Sequence, residues 1–153
     1  MKEFDYYIFI DYSENLIGYN IIEGNKIKEI LPRVVRIDHY KKTKHKKEYI
    51  NSIKKLFEKE RINHYILKTR ILNKKNNIDL FSEIFEFIKV HNNCIIFISI
   101  DDFQFRTFKK LVKIVNDNKT KVVKESQLKK GSIEYKMSLI IDNQLNIIRK
   151  KNE

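Results

Sequence analysis

The segment Asn93-Cys-Ile-Ile-Phe-Ile-Ser-Ile100 constrains this chain more than any other. It is an almost unbroken apolar run, rich in β-branched residues, and it reads as the clearest strand in the sequence. On one side Leu80, Phe81, Ile84, Phe85 and Ile88 recur at helical spacing behind Asn77, which can cap the helix start. On the other side Phe105, Phe108, Val112 and Val115 mark a further helix reaching about Asp117. Strands alternating with helices in this way require crossover connections and a sheet with helices on both faces.

The amino-terminal part follows another pattern. Tyr6-Tyr-Ile-Phe-Ile10 reads as a buried strand, Asp11-Tyr-Ser-Glu-Asn15 as turn chemistry and Leu16-Ile-Gly-Tyr-Asn-Ile-Ile22 as a second strand. Glu23-Gly-Asn25 reads as a hairpin turn, and residues 26–31 as a third strand alternating polar with apolar side chains. The three together predict an antiparallel meander. Beyond Pro32, Ile50, Ile53, Leu56 and Phe57 predict an amphipathic helix over about 46–61, and residues 63–67 a fourth strand. At the carboxyl end residues 121–124 fit a strand, and residues 133–148 fit a hairpin turning at Asp142-Asn143. The predicted order is β-β-β-α-β-α-β-α, a mixed α/β sheet, followed by a β-rich extension. With 153 residues there is room for one domain, read as an α/β core over 1–118 and the extension, packed on the same domain, over 119–153.

Composition narrows the class. Apolar residues make up 42% and charged residues 34%, enough for a packed core and against wholesale disorder. The chain has no alanine but 26 Ile, 26 Lys and 15 Asn, a bias of the kind an AT-rich genome imposes without functional cause. The lone Cys94 excludes an internal disulfide and a cysteine zinc cluster, and its strand context makes it a small buried hydrophobe. No run approaches the roughly 20 apolar residues of a membrane span, and Met1-Lys-Glu-Phe-Asp5 does not open like a signal peptide. A soluble cytoplasmic protein that avoids membranes is therefore expected. His39, His45, His64 and His91 lack ligand spacing, and no Gly-rich phosphate loop or nucleophile motif stands out.

Charge points to a partner. Of the net +12, residues 33–75 carry +11, densest in Tyr40-Lys-Lys-Thr-Lys-His-Lys-Lys47. So focused a patch attracts polyanions and makes binding salt dependent. Nucleic acid, DNA or RNA, is the expected partner. Lys41, Lys42, Lys44, Lys46, Lys47, Lys68 and Arg70 are the candidate contacts, and Tyr40, Tyr49 and Tyr65 are interleaved for stacking.

The element order is similar to that of the RNase H-like fold. Ile10-Asp11-Tyr-Ser-Glu-Asn-Leu-Ile-Gly18-Tyr19-Asn-Ile-Ile22 resembles the opening hairpin of bacterial Holliday-junction resolvases, with an Asp closing the first strand and a Gly seven residues on. The resemblance implies that Asp11 binds a catalytic Mg²⁺ ion. Two-metal phosphodiester chemistry needs several converging carboxylates. Asp102 is the expected second metal ligand, with Asp101 and Glu48 as further candidate catalytic acids. Each also has a plain structural role open to it: turn formation for Asp11, helix capping for the Asp101-Asp102 pair, and surface solvation for Glu48. The sequence departs from the family at two places. Tyr12 and Ser13 stand where the resolvase turn has small residues, and Lys68-Thr-Arg70 stands where the fourth strand would end in an acid. Three functions are compatible with these residues: a Mg²⁺-dependent nuclease or junction resolvase, a nucleic-acid binder that no longer cuts, and an assembly module or homodimer pairing through the carboxyl-terminal strands.

Overall fold

The computed structural model describes residues 3–116 and 119–152; the expected helix end at Asp117 and the boundary at 118 lie outside them. Strand β1 (Tyr6–Ser13) turns at Glu14-Asn15 into β2 (Leu16–Glu23). Glu14 takes a left-handed φ of 52° to make so short a reversal. The rest of the chain runs α1 (Ile27–Ile30), α2 (Lys46–Glu60), α3 (Ile62–Tyr65), β3 (Lys68–Asn73), α4 (Asn77–Val90), β4 (Cys94–Ile98), α5 (Asp102–Asn116), β5 (Thr120–Lys124) and α6 (Ile133–Lys151). The five strands form one mixed sheet in the order β3-β2-β1-β4-β5. β2 pairs antiparallel with both β1 and β3, as a meander requires, and β4 and β5 run parallel to β1.

Period-two alternation divides the core. Tyr7 and Phe9 of β1, with Ile95 and Phe97 of β4, face a layer made by α1, α2, α3 and α6. Ile8 and Ile10, with Cys94, Ile96 and Ile98, face α4 and α5. Cys94 is fully buried, as its context predicts, and burial pushes its thiol up to about 11.

Three expectations are corrected. Residues 26–31 are not a strand. Ile27, Ile30 and Leu31 also fit i, i+3, i+4 spacing, and the chain takes a helical turn that buries Ile27 and Ile30 before Pro32 opens a 3₁₀ turn. Residues 63–67 are not a strand either: α3 occupies most of them, and the third meander strand is β3, which begins at Lys68. The strand beside β1 is consequently β4, so the sequence 94–98 is the sheet's fourth strand and not its fifth.

The third correction is the largest. Residues 133–148 form no hairpin; they belong to the 19-residue helix α6, which lies across β1 and β2. Met137, Ile140, Ile141 and Leu145 fall at helical spacing and are buried on the sheet. The Ser132 side chain caps the start by accepting from the Tyr135 N–H at 3.1 Å, and Arg149, Lys150 and Lys151 meet the negative end of the helix dipole. The extension is thus one strand of the common sheet and one long covering helix, and the free edge strands on which the assembly reading rested are absent over 133–148. Among the described residues no helix is long and apolar enough to cross a membrane.

Candidate acidic site and basic surface

The alternation that buries Tyr7 and Phe9 under α6 carries Asp11 to the same side at the carboxyl end of β1. Its side chain is 6% exposed, and its Oδ1 accepts from the Tyr12 N–H at 2.8 Å. Opposite Asp11 in the β1–β2 register is Gly18. A Cβ there would stand 3.0 Å from Ile141 Cδ1 and from Ile71 Cγ1, and 3.1 Å from the Arg70 carbonyl oxygen. The missing side chain lets α6 come down onto the sheet beside Asp11.

The residue after Ile141 is Asp142, 4% exposed. Its Oδ2 accepts from the Tyr40 N–H at 2.9 Å, and its Oδ1 stands 3.7 Å from His39 Nε2. Alternation along β4 and β5 carries Ser99 and Glu125 to the same face, just past Phe97 and Val123. Ser99 donates its N–H to the Ile10 carbonyl at 3.2 Å. The hydroxyls of Ser99 and Ser138 face the half-buried Glu125 carboxylate.

Asp11, Glu125 and Asp142 therefore form one electrostatic group. Burial raises the Asp11 carboxyl well above its ordinary value, and the charges of Glu125 and Asp142 raise it further, against the Tyr12 N–H and the distant Lys41 ammonium. Burial likewise raises Glu125, with Asp142 adding to it. Burial also raises Asp142, which the Tyr40 N–H, His39 and Lys41 partly offset. Like-charged carboxylates withdrawn from water hold protons or attract a cation. Their hard oxygens suit a divalent ion such as Mg²⁺. As placed they do not close a cage: among the described residues no three His, Cys, Asp or Glu side chains are grouped to hold a metal ion.

The acids expected from the sequence are distributed otherwise. Asp101 is exposed, and its Oδ1 accepts from the Gln104 N–H at 2.8 Å, a cap on α5. Asp102, 79% exposed, pairs with Lys124, which holds its carboxyl below the ordinary value. Glu48 is exposed in the first turn of α2. Of the four, Asp11 alone stands in the buried group. Glu125 and Asp142 were hidden in the sequence because the hairpin expectation placed Asp142 in a surface turn, and nothing marked Glu125 apart from its neighbours.

The expected basic contacts divide in two. Lys41, Lys42 and Lys44, on the loop leading into α2, and Lys46 and Lys47, which open that helix, are all exposed. That loop is tied over the acidic group: Asn143 Nδ2 donates to the Asp38 carbonyl at 3.0 Å, and Lys136 Nζ to the Ile37 carbonyl at 2.9 Å. Lys130 lies beside Lys42 and pushes its ammonium pKa down, which extends the positive surface. Lys68 and Arg70 behave differently, because both bind Glu83, at 3.6 and 3.1 Å. Burial would raise Glu83, but hydrogen bonds from Arg70 and from the Tyr19 hydroxyl hold it below its ordinary value. Glu83 thus offsets half of the positive charge of this pair locally.

No protein-family model matches the chain, and no curated protein does. Solved structures do. The ribonuclease H2 from Pyrococcus horikoshii OT3 superposes with a TM-score of 0.57 at 15% identity, over 95% of this chain and 72% of that one. The RNase HII in a PCNA complex from Archaeoglobus fulgidus superposes with a TM-score of 0.54 at 9% identity, over the same shares. The chain has the RNase H-like fold, in agreement with the resemblance drawn from its element order.

Proposed function

We propose that this chain binds nucleic acid and that Asp11, Asp142 and Glu125, which form no closed metal site on their own, attract a divalent ion such as Mg²⁺ that arrives with a phosphodiester, for its hydrolysis. One observation carries the reading: three buried or half-buried carboxylates, from β1, from just past β5 and from α6, stand near enough for the charges of Glu125 and Asp142 to act on Asp11, toward the carboxyl end of the parallel strands, the usual mouth of an α/β site. The nuclease-like fold and the resolvase-like hairpin around Asp11 support it. When bound, such an ion polarises the phosphoryl group and activates a water. The protein's own residues supply the rest. The Tyr12 and Tyr40 N–H groups each fix one carboxylate oxygen, on Asp11 and Asp142. Lys41, whose charge reaches both acids, draws the phosphate backbone toward them.

The test separates the ion from the cutting. Millimolar Mg²⁺ or Mn²⁺ at neutral pH should raise the melting temperature of the wild-type chain but not that of Asp142→Asn. The same ions should support cleavage of at least one branched, duplex or hybrid substrate. Asp11→Asn should abolish cleavage while metal-free binding holds or tightens, since a negative charge is removed. If the ions neither stabilise the protein nor support cleavage, a second reading replaces the first: an RNase H-like binder that does not cut. Ser99 favours that reading, because it stands at the end of the strand beside β1, where the resemblance calls for an acid.

A further inference from the structure

The charge count hides a second positive surface. Residues 76–153 are close to balanced in sequence, yet the fold sorts their charges. Between α5 and the edge strand β5 lies a groove of about 440 Å³ lined by Arg106, Lys109, Lys110, Lys113 and Lys121, with no acidic residue in its lining. The four α5 cations stand at i, i+3, i+4 and i+7, which aligns them on one exposed face. Another face of the same helix is buried, with Phe108 packed on Phe81 and Phe85 of α4. Among the described residues no carboxylate forms an ion pair with any of the five. Asp102, the acid whose charge reaches Arg106, is already engaged by Lys124.

We propose that this groove binds a nucleic-acid strand through its phosphates. The inference rests on the nucleic-acid reading above and assigns that partner a contact surface away from the basic loop at 41–47. The dimensions suit a strand. Seven residues of helix span about 10 Å, and a nucleic-acid strand carries one phosphate per roughly 3.4 Å of axis, so the α5 row matches about three successive phosphates. The direction suits it as well. β5 carries Lys121 in the groove and leads directly to Glu125, so a strand following the sheet edge reaches the end at which the acidic group stands.

The experiment uses the full chain carrying Arg106→Gln, Lys109→Gln, Lys110→Gln and Lys113→Gln together. All four side chains are exposed, so the melting temperature should be unchanged; Lys109→Gln with Lys113→Gln alone is the fallback. Affinity for a fluorescent single-stranded oligonucleotide should fall about tenfold or more. The slope of log affinity against log salt should shrink by about 2, at roughly 0.7 per phosphate on a single strand. Wild-type binding with an unchanged slope in the variant overturns this inference and leaves the nucleic-acid reading standing. No binding by the wild type overturns both. Displacement of the oligonucleotide by polyglutamate of equal length would assign the groove to an acidic peptide and also overturn the inference.

Discussion

Asp11 shows how much one position can be asked to do. Strand alternation buries it, a two-residue turn follows it, and two further acids share its surroundings. Asp11, Glu125 and Asp142 all titrate above their ordinary values in the folded chain and return to them on unfolding. The folded state therefore binds more protons. The stabilisation this brings is complete below the ordinary carboxylate range and is lost as pH rises through the raised values. Without divalent ions, the melting temperature should fall as pH rises from the ordinary carboxylate range through the raised values. Asp11→Asn should blunt that fall, because the amide oxygen still accepts from the Tyr12 N–H while the charge is gone. The variant should therefore be more stable than wild type above the raised values, and the gain should vanish below the ordinary carboxylate range. Calorimetry across this range decides it: a variant no more stable than wild type above the raised values would mean the three acids impose no electrostatic cost.

Among the elements, legibility followed length and period. The run 94–98 was readable because its five buried residues include four of β-branched or aromatic type, which leaves little room for a helix. Helices α2, α4 and α5 were readable because their apolar stripes persist for fourteen or fifteen residues. Residues 26–31, 63–67 and 133–148 were not, since short apolar clusters fit both periods and packing decides between them. Misreading α6 also concealed one of the three acids, because Asp142 acquires its neighbours only when the helix lies on the sheet. Gly18 is the joint that permits this. The close approach of Ile141 and Ile71 predicts that Gly18→Ala costs about 1–3 kcal/mol by overpacking. Removing Ile141 Cδ1 through Ile141→Val should restore part of that stability, measured by denaturant unfolding. A Gly18→Ala chain as stable as wild type, or a double variant no better than the single, would show that α6 does not bear on Gly18.

For the whole molecule, the positive charge found by counting is only part of the positive charge the fold presents. The loop at 41–47 was legible because its lysines are contiguous in sequence. The α5 groove was not, since its cations are separated from nearby acids only after folding, and Lys68 and Arg70 counted as available until Glu83 claimed them. The two surfaces lie on different sides of the sheet: the loop is laced to α6 on one, and α5 packs on the other. A nucleic acid that contacts both must pass around the end or edge of the sheet. Replacing Lys42, Lys44, Lys46 and Lys47 by Ala should flatten the salt dependence by up to about 0.9 for each duplex phosphate the loop no longer neutralises. Because the sets share no partners, their effects should add when the loop and α5 replacements are combined. A combined variant no weaker than the loop variant alone would mean that a bound strand touches the loop face only. Additive slopes on a long duplex, but an effect from one set only on a short one, would measure how far the nucleic acid must extend to reach from one side to the other.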